Sequence, residues 1–346
     1  MSGTDPSIGK CSNAQIGVPT PSIVALFRAL DLSAVEPVLR EAYSQRRRRP
    51  PCPQTAMLRA LIFQKIRQIP SWRKLASILK HETTWLPVLG LTRAPCHDSF
   101  SEFTKRLGPE RLHRIFLVLE SQLRAAYPGL GQRIAIDSTL VKAYSNPRTR
   151  RGSISDPDAR WGVKKQELNR PYYVFGYKLQ TSCDADFGLP LDYLVVPANR
   201  SDSRLFYPTL VRTKMAGNPV DMAIADKGYD SKRNNLLCIK HHAIPIIALN
   251  PRGSKDKRKR RADYILPVKR NSAEWNRYYS TRVSVERMFA RLKEELGLNH
   301  LKLRRLERVE VHFAICLIAM TAIASTASTT GFSQLALCIE PWRYYG

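Results

Sequence analysis

A chain of 346 residues, 43% of them hydrophobic, is long enough for two domains with real cores. Its 56 lysines and arginines against 29 aspartates and glutamates leave a formal charge of +27, which argues against a cationic partner and for a polyanion, nucleic acid before membrane. Seven widely spaced cysteines with no C-x-x-C pair exclude a disulfide scaffold and a zinc ribbon, and fit a reduced, cytoplasmic compartment.

Residues 1–20 carry no periodicity, lack the layout of a secretory signal and read as a disordered tail. From Ser22 the pattern is helical: PSIVALFRALDLSAVEPVLREAY, a basic run from Arg46 to Arg49, then the break Pro50-Pro51-Cys52-Pro53. Thr55 is placed to cap AMLRALIFQKIRQI, Ser71 to cap WRKLASILKHE, and Asp98 or Ser99 to open FSEFTKRL before Gly108-Pro109. A long amphipathic helix, Glu110 to Ala126, follows. Residues 21–130 are therefore expected as an all-helical N-terminal domain. Its short helices, studded with Arg and Lys, suit DNA binding of the helix-turn-helix kind, although any small helical bundle would carry the same pattern.

At Gln132 the period changes. Arg133-Ile134-Ala135-Ile136-Asp137 reads as a buried strand ending on an acid. A basic loop from Asn146 to about Asn169 carries Arg148, Arg150 and Arg151 and is suited to holding phosphates. Tyr172 to Ser182 and Leu189 to Val196 form a hairpin through a turn with Asp184, Asp186 and Gly188. Asp202 is placed to cap a helix reaching about Lys214. Met222-Ala223-Ile224-Ala225-Asp226 is another strand ending on an acid, Gly228 and Asp230 turn into a helix, and Ile244 to Leu249 is a further strand. Then come a second basic excursion, KDKRKRR, with Lys257, Arg258, Lys259 and Arg260, and a helix containing YSTRVSVERMFARLK.

On that helix, at 100° per residue, Tyr279, Arg282, Glu286 and Lys293 share a polar face, while Val285, Met288, Phe289, Leu292 and Leu296 form an apolar stripe suited to packing on a sheet. Taken alone, Arg282 and Glu286 are an ordinary i,i+4 ion pair. The apolar run from Phe313 to Ala324 is short for a bilayer and reads as a buried helix, so no membrane partner is expected; residues 331–346 read as a C-terminal tail. Strands followed by strand–helix alternation give an α/β, mixed-sheet domain over 131–330.

Asp137 and Asp226 each follow an apolar strand, where a carboxylate needs a reason to be. If the strands are neighbours, both acids emerge at one edge, and the helix carrying Glu286 can supply a third. Such carboxylates repel unless a cation joins them, and hard oxygen donors select Mg²⁺ or Mn²⁺. Asp184, Asp186, Asp202 and Asp230 are read as turn or capping residues.

IAIDST, ANRSD, AIADKGYDS and the Y-x-x-R-x-x-x-E-x-x-x-x-x-x-K spacing of Tyr279, Arg282, Glu286 and Lys293 resemble the DDE transposases of bacterial insertion sequences. The resemblance covers about 133–325 and extends to the helical region before it. It implies a ribonuclease H-like catalytic domain, the triad Asp137, Asp226 and Glu286 as catalytic residues and metal ligands, and Mg²⁺ or Mn²⁺ as cofactor. The implied partner is double-stranded DNA: the element's terminal inverted repeats, and the target to which its 3′-OH ends are joined. Tyr279, Arg282 and Lys293 would meet DNA beside the triad. Cutting two ends in concert would suit a homodimer, which no heptad marks, and the implied place of action is the nucleoid. Some 59 residues separate Asp226 from Glu286, fewer than in relatives with a large β-strand insertion there, so their hairpin route is not carried over. Two rivals share parts of this pattern: a ribonuclease H-like nuclease or resolvase without strand joining, and a non-catalytic basic DNA-binding protein.

Overall fold

The structure, a computed structural model, describes residues 21–43, 52–147, 154–165, 171–250 and 266–344, with only the backbone at Lys164 and Lys165. The apolar spacing from Ser22 to Ala126 gives α1 (Ile23–Ala29), α2 (Glu36–Glu41), α3 (Gln54–Ile66), α4 (Trp72–His81), α5 (Trp85–Leu89) and α6 (His97–Ala126). Ser71 caps α4 as expected, its Oγ accepting the Lys74 N–H at 3.2 Å. The cap of α3 is Pro53, not Thr55, because a proline's fixed φ (here −57°) starts a helix without a capping hydroxyl. Gly108, at φ 65°, breaks α6 into two helical stretches at the expected Gly-Pro step.

The sheet contains β1 (Arg133–Lys142), β2 (Arg160–Lys165), β3 (Pro171–Asp184), β4 (Pro190–Pro197), β5 (Met222–Ala225) and β6 (Ile244–Ile247). Its order is β2-β3-β1-β5-β6, with β4 also paired to β3. The β1–β5 and β5–β6 pairs are parallel; β1–β3, β2–β3 and β3–β4 are antiparallel, so the sheet is mixed. Two expectations are corrected. The segment read as a loop from Asn146 to Asn169 contains the edge strand β2, whose Trp161 and Val163 are exposed and so give no burial signal. β1 does not end at Asp137 but runs on to Lys142, because β3 continues to pair with it as far as Lys142–Gly176.

Between and after these strands lie α7 (Asp202–Met215), α8 (Lys232–Lys240), α9 (Ala273–Ser280), α10 (Val283–Glu294) and α11 (Leu306–Thr329). By length and composition α11 could cross a bilayer, yet Phe313 to Ala324 are all buried in the protein, packed against α6, α3 and β4. The main apolar core thus runs from Ile23 through the sheet to Trp342, and a smaller second cluster gathers Met222, Ile224, Ile246 and Trp275. The segment after α11 folds back onto the helical region: Arg343 donates to the Ile66 carbonyl at 3.0 Å, and Trp342 is fully buried.

Candidate active site

Parallel pairing of β1 with β5 stops at Ile136–Ala225, so the next residues of both strands, Asp137 and Asp226, stand side by side where the two part. Asp226 leaves the sheet into a tight turn, Lys227–Tyr229, and its Oδ1 accepts the Gly228 N–H at 2.7 Å. A Cβ at Gly228 would lie 2.9 Å from that oxygen, so a larger residue there would have to displace the Asp226 carboxylate. Asp137 Oδ1 accepts the Ser138 N–H at 2.8 Å.

The helix expected over Tyr279 to Lys293 is two helices, a correction with a local cause. Ser280 and Thr281 turn their hydroxyls onto the carbonyls of Arg277 and Tyr278 (both 2.8 Å), and the chain tightens through Arg282 N–H to Tyr279 O at 3.1 Å. Tyr279 therefore lies in the last turn of α9, which ends at Ser280, and Arg282 occupies the N-cap position of α10. The apolar stripe is as expected: Val285, Met288, Phe289, Leu292 and Leu296 are buried, and α10 packs on β1 and β3.

Arg282 binds two of the three predicted acids. Its Nη2 donates to Glu286 Oε1 at 2.6 Å, and its Nη1 lies 3.6 Å from Asp137 Oδ2. The guanidinium also lies 5.8 Å from the centre of the Tyr279 ring, which stacks on Trp275 at 4.5 Å. Lys293 lies in the last turn of α10, about 10 Å along the axis from Glu286. Arg148, Arg150, Arg151, Lys257, Arg258, Lys259 and Arg260 lie outside the described residues.

The electrostatics follow from this crowding. Burial pushes the Asp137 carboxyl up to about 7 against the pull of its Ser138 hydrogen bond; the Asp226 charge adds to the rise and Arg282 opposes it. Burial likewise raises the Tyr279 phenol. Asp137 and Asp226 are thus an under-compensated anionic pair of oxygen donors, which suits a hard divalent cation. Among the described residues no three His, Cys, Asp or Glu side chains are close enough together to hold a metal, and Glu286, half-exposed, is turned to Arg282.

Alternation along β1 puts Ser138 on the opposite face from Asp137. There its Oγ donates to Asp202 Oδ1 at 2.8 Å, which also takes the buried Lys178 ammonium at 2.5 Å. Gln180, level with Ser138 across the β1–β3 pair, accepts from the Tyr229 hydroxyl at 3.1 Å. Asp202 was expected as a helix cap; Ser201 holds that position, and Asp202 instead braces the back of the β1 strand that carries Asp137. The sequence signal was a lysine inside the apolar run of β3, an ion that needs a buried partner. Asp184 and Asp230 are structural: the first accepts the N–H groups of Gly131, Asp186 and Phe187, and the second pairs with Arg270 at 2.7 Å.

Residues 128–322 match the family model described as Transposase DDE domain, and residues 14–106 match a second, Transposase domain (DUF772). The mixed sheet with its helices is accordingly ribonuclease H-like, preceded by a helical region. Among solved structures, the chain is similar to a piggyBac transposase synaptic complex with hairpin DNA, at 11% identity over 92% of this chain and 79% of that one, with a TM-score of 0.43. It is also similar to a Mos1 transposase paired-end complex with left transposon end, at 13% identity over 74% and 82%, with a TM-score of 0.22. A search of curated proteins finds no match.

Proposed function

The chain belongs to the DDE transposase family, and from that premise we propose that it binds the terminal inverted repeats of an insertion sequence, cleaves DNA at the element ends and joins the 3′-OH ends to target DNA. The observation that carries this most directly is the side-by-side exit of Asp137 and Asp226 from β1 and β5, with Arg282 linking Asp137 to Glu286.

Asp137, Asp226 and Glu286 would hold Mg²⁺ or Mn²⁺, which when bound activates an attacking oxygen and neutralises a leaving one. Asp137 would hold the ion as a carboxylate, without the proton that burial favours. Glu286, on the exposed start of a helix anchored by its apolar stripe, has only to exchange Arg282 for the site. Arg282, so released, can hold a phosphate beside the reacting one through two donors, with Lys293 as a point charge on the same face of α10. Tyr279, stacked on Trp275, would support the DNA backbone. The basic segments with Arg148, Arg150 and Arg151 and with Lys257, Arg258, Lys259 and Arg260 would carry further phosphates, and residues 21–130 would recognise the ends. Such a protein acts on the nucleoid, in a paired-end complex that suits a homodimer.

The test is incubation of purified protein with Mg²⁺ and DNA bearing the element's own ends. Joined products are expected; nicks without joining would favour a resolvase-like nuclease, and binding without any cut a non-catalytic DNA-binding protein.

A further inference from the structure

Away from the carboxylates, the turn between α3 and α4 and the start of α6 meet the segment joining α10 to α11 around a cavity of about 240 Å³. Lys65, His312, Arg73, His97, His300 and Lys302 line it, and among the described residues no Asp or Glu does. Lys65 is 7% exposed, and its ammonium is 2.9 Å from His312 Nδ1. His312 Nε2 donates to the Leu298 carbonyl at 3.1 Å, which leaves Nδ1 as the acceptor for Lys65. Burial and the Lys65 charge hold His312 well below its ordinary pKa, so it offers a lone pair but no negative charge. The Cys316 thiol also lies beside Lys65.

A buried ammonium with only neutral partners is costly, and burial alone would drive it toward its neutral form. Every ionisable group lining the cavity is basic, and although His97 already meets the Asp98 carboxylate at 3.1 Å, the component missing beside Lys65 is an anion. The first turn of α4, with Ser71, Trp72 and Arg73 on the cavity wall, adds the positive end of a helix dipole. At about 240 Å³ the space falls short of the usual range for a drug-sized ligand but is ample for a phosphoryl group. Its walls belong both to the N-terminal helices and to the segment that follows the helix bearing Glu286.

We infer that this cavity is an anion site that takes a phosphate group, with Lys65 at its base and Arg73 and Lys302 at its mouth. Two sources share that chemistry: a backbone phosphate of DNA and a free phosphoryl compound. The site rests on the cavity and its charges, not on the carboxylate centre, and its tests require no strand cleavage, so either assignment can fail alone.

The experiment uses the full chain. Thermal melting is followed as inorganic phosphate replaces chloride at constant ionic strength and pH, for wild type, Lys65→Met and an Arg73→Gln, Lys302→Gln double variant. Wild type should gain a saturable rise of about 2 °C or more, Lys65→Met should show none, and the double variant a weaker one. An equal response in all three, or none in wild type, overturns the inference. If Lys65→Met does not fold, the exposed double variant decides, and an undiminished rise there is equally fatal. Salt titration of duplex DNA binding then separates the sources. A slope of log K against log [salt] shallower by about 0.9 in Lys65→Met assigns the site to a DNA phosphate; an unchanged slope, with the phosphate response present in wild type and lost in Lys65→Met, assigns it to a free phosphoryl compound.

Discussion

At Asp137 two demands meet: a carboxylate placed to bind a cation, and a position where burial and Asp226 favour its neutral form. With the carboxyl at about 7, Mg²⁺ must displace a proton at lower pH. Mg²⁺ affinity, read from the rise in melting temperature, should fall about tenfold per pH unit below 7 and level off above it. A flat profile from pH 6 to 8 would remove Asp137 from the ligand set. Arg282→Ala should keep Mg²⁺ binding yet lower strand joining by about 10-fold to 100-fold, since what it loses is positioning; unchanged joining kinetics would make Arg282 an ordinary surface ion pair. Glu120 gives a pH dependence away from the site. Its side chain is fully buried against Arg124, and burial raises it from an ordinary 4.5 to about 7. The folded state then binds the proton more tightly than the unfolded chain, so this contribution is fully present below about 4.5 and is lost as pH rises to about 7. Glu120→Gln should remove a pH-dependent loss of roughly 3 kcal/mol at most, measured by urea unfolding at pH 5 and 7.5; parallel curves for both proteins would contradict it. The strand-end positions of Asp137 and Asp226 were legible because each follows an apolar run, whereas the bracing role of Asp202 was not, since its partners Ser138 and Lys178 are remote in sequence and local signals made it a cap.

The elements were legible where burial followed a local period. β5, the β3–β4 hairpin, α4 and the apolar stripe of α10 each announce themselves within a dozen residues. What failed depended on distant partners or side-chain competition. The overrun of β1 past Asp137 requires β3, β2 exists as an edge on β3, and the α9–α10 break arises from hydroxyls that a 3.6-residue period does not register. The β1–β3 pairing also fixes a glycine: a Cβ at Gly176 would stand 2.0 Å from the Val141 carbonyl oxygen. Neither backbone can yield without opening the ladder that positions Asp137. Gly176→Ala should therefore cost about 3 kcal/mol or more, seen as a lower denaturation midpoint. A loss under about 0.5 kcal/mol would mean that β1 and β3 are held elsewhere.

Across the whole molecule, +27 charges are carried by a chain whose helical region and sheet share one core, with α11 buried between them. That excess was fully legible from composition; the shared core was not, because the segments composing it are separated by most of the chain. DNA affinity should fall steeply with salt, and neutralising Lys257, Arg258, Lys259 and Arg260 together should flatten the slope by up to about four times 0.9; an unaltered slope would put the DNA on another face. The most direct measurement is product analysis after mixing Mg²⁺ and DNA bearing the element's ends with wild-type protein or with Asp226→Asn. Wild type should yield joined products, and Asp226→Asn should bind the same DNA with near wild-type affinity while yielding neither nicks nor joints. Wild-type-like cleavage and joining by Asp226→Asn would contradict a catalytic centre built on Asp137, Asp226 and Glu286.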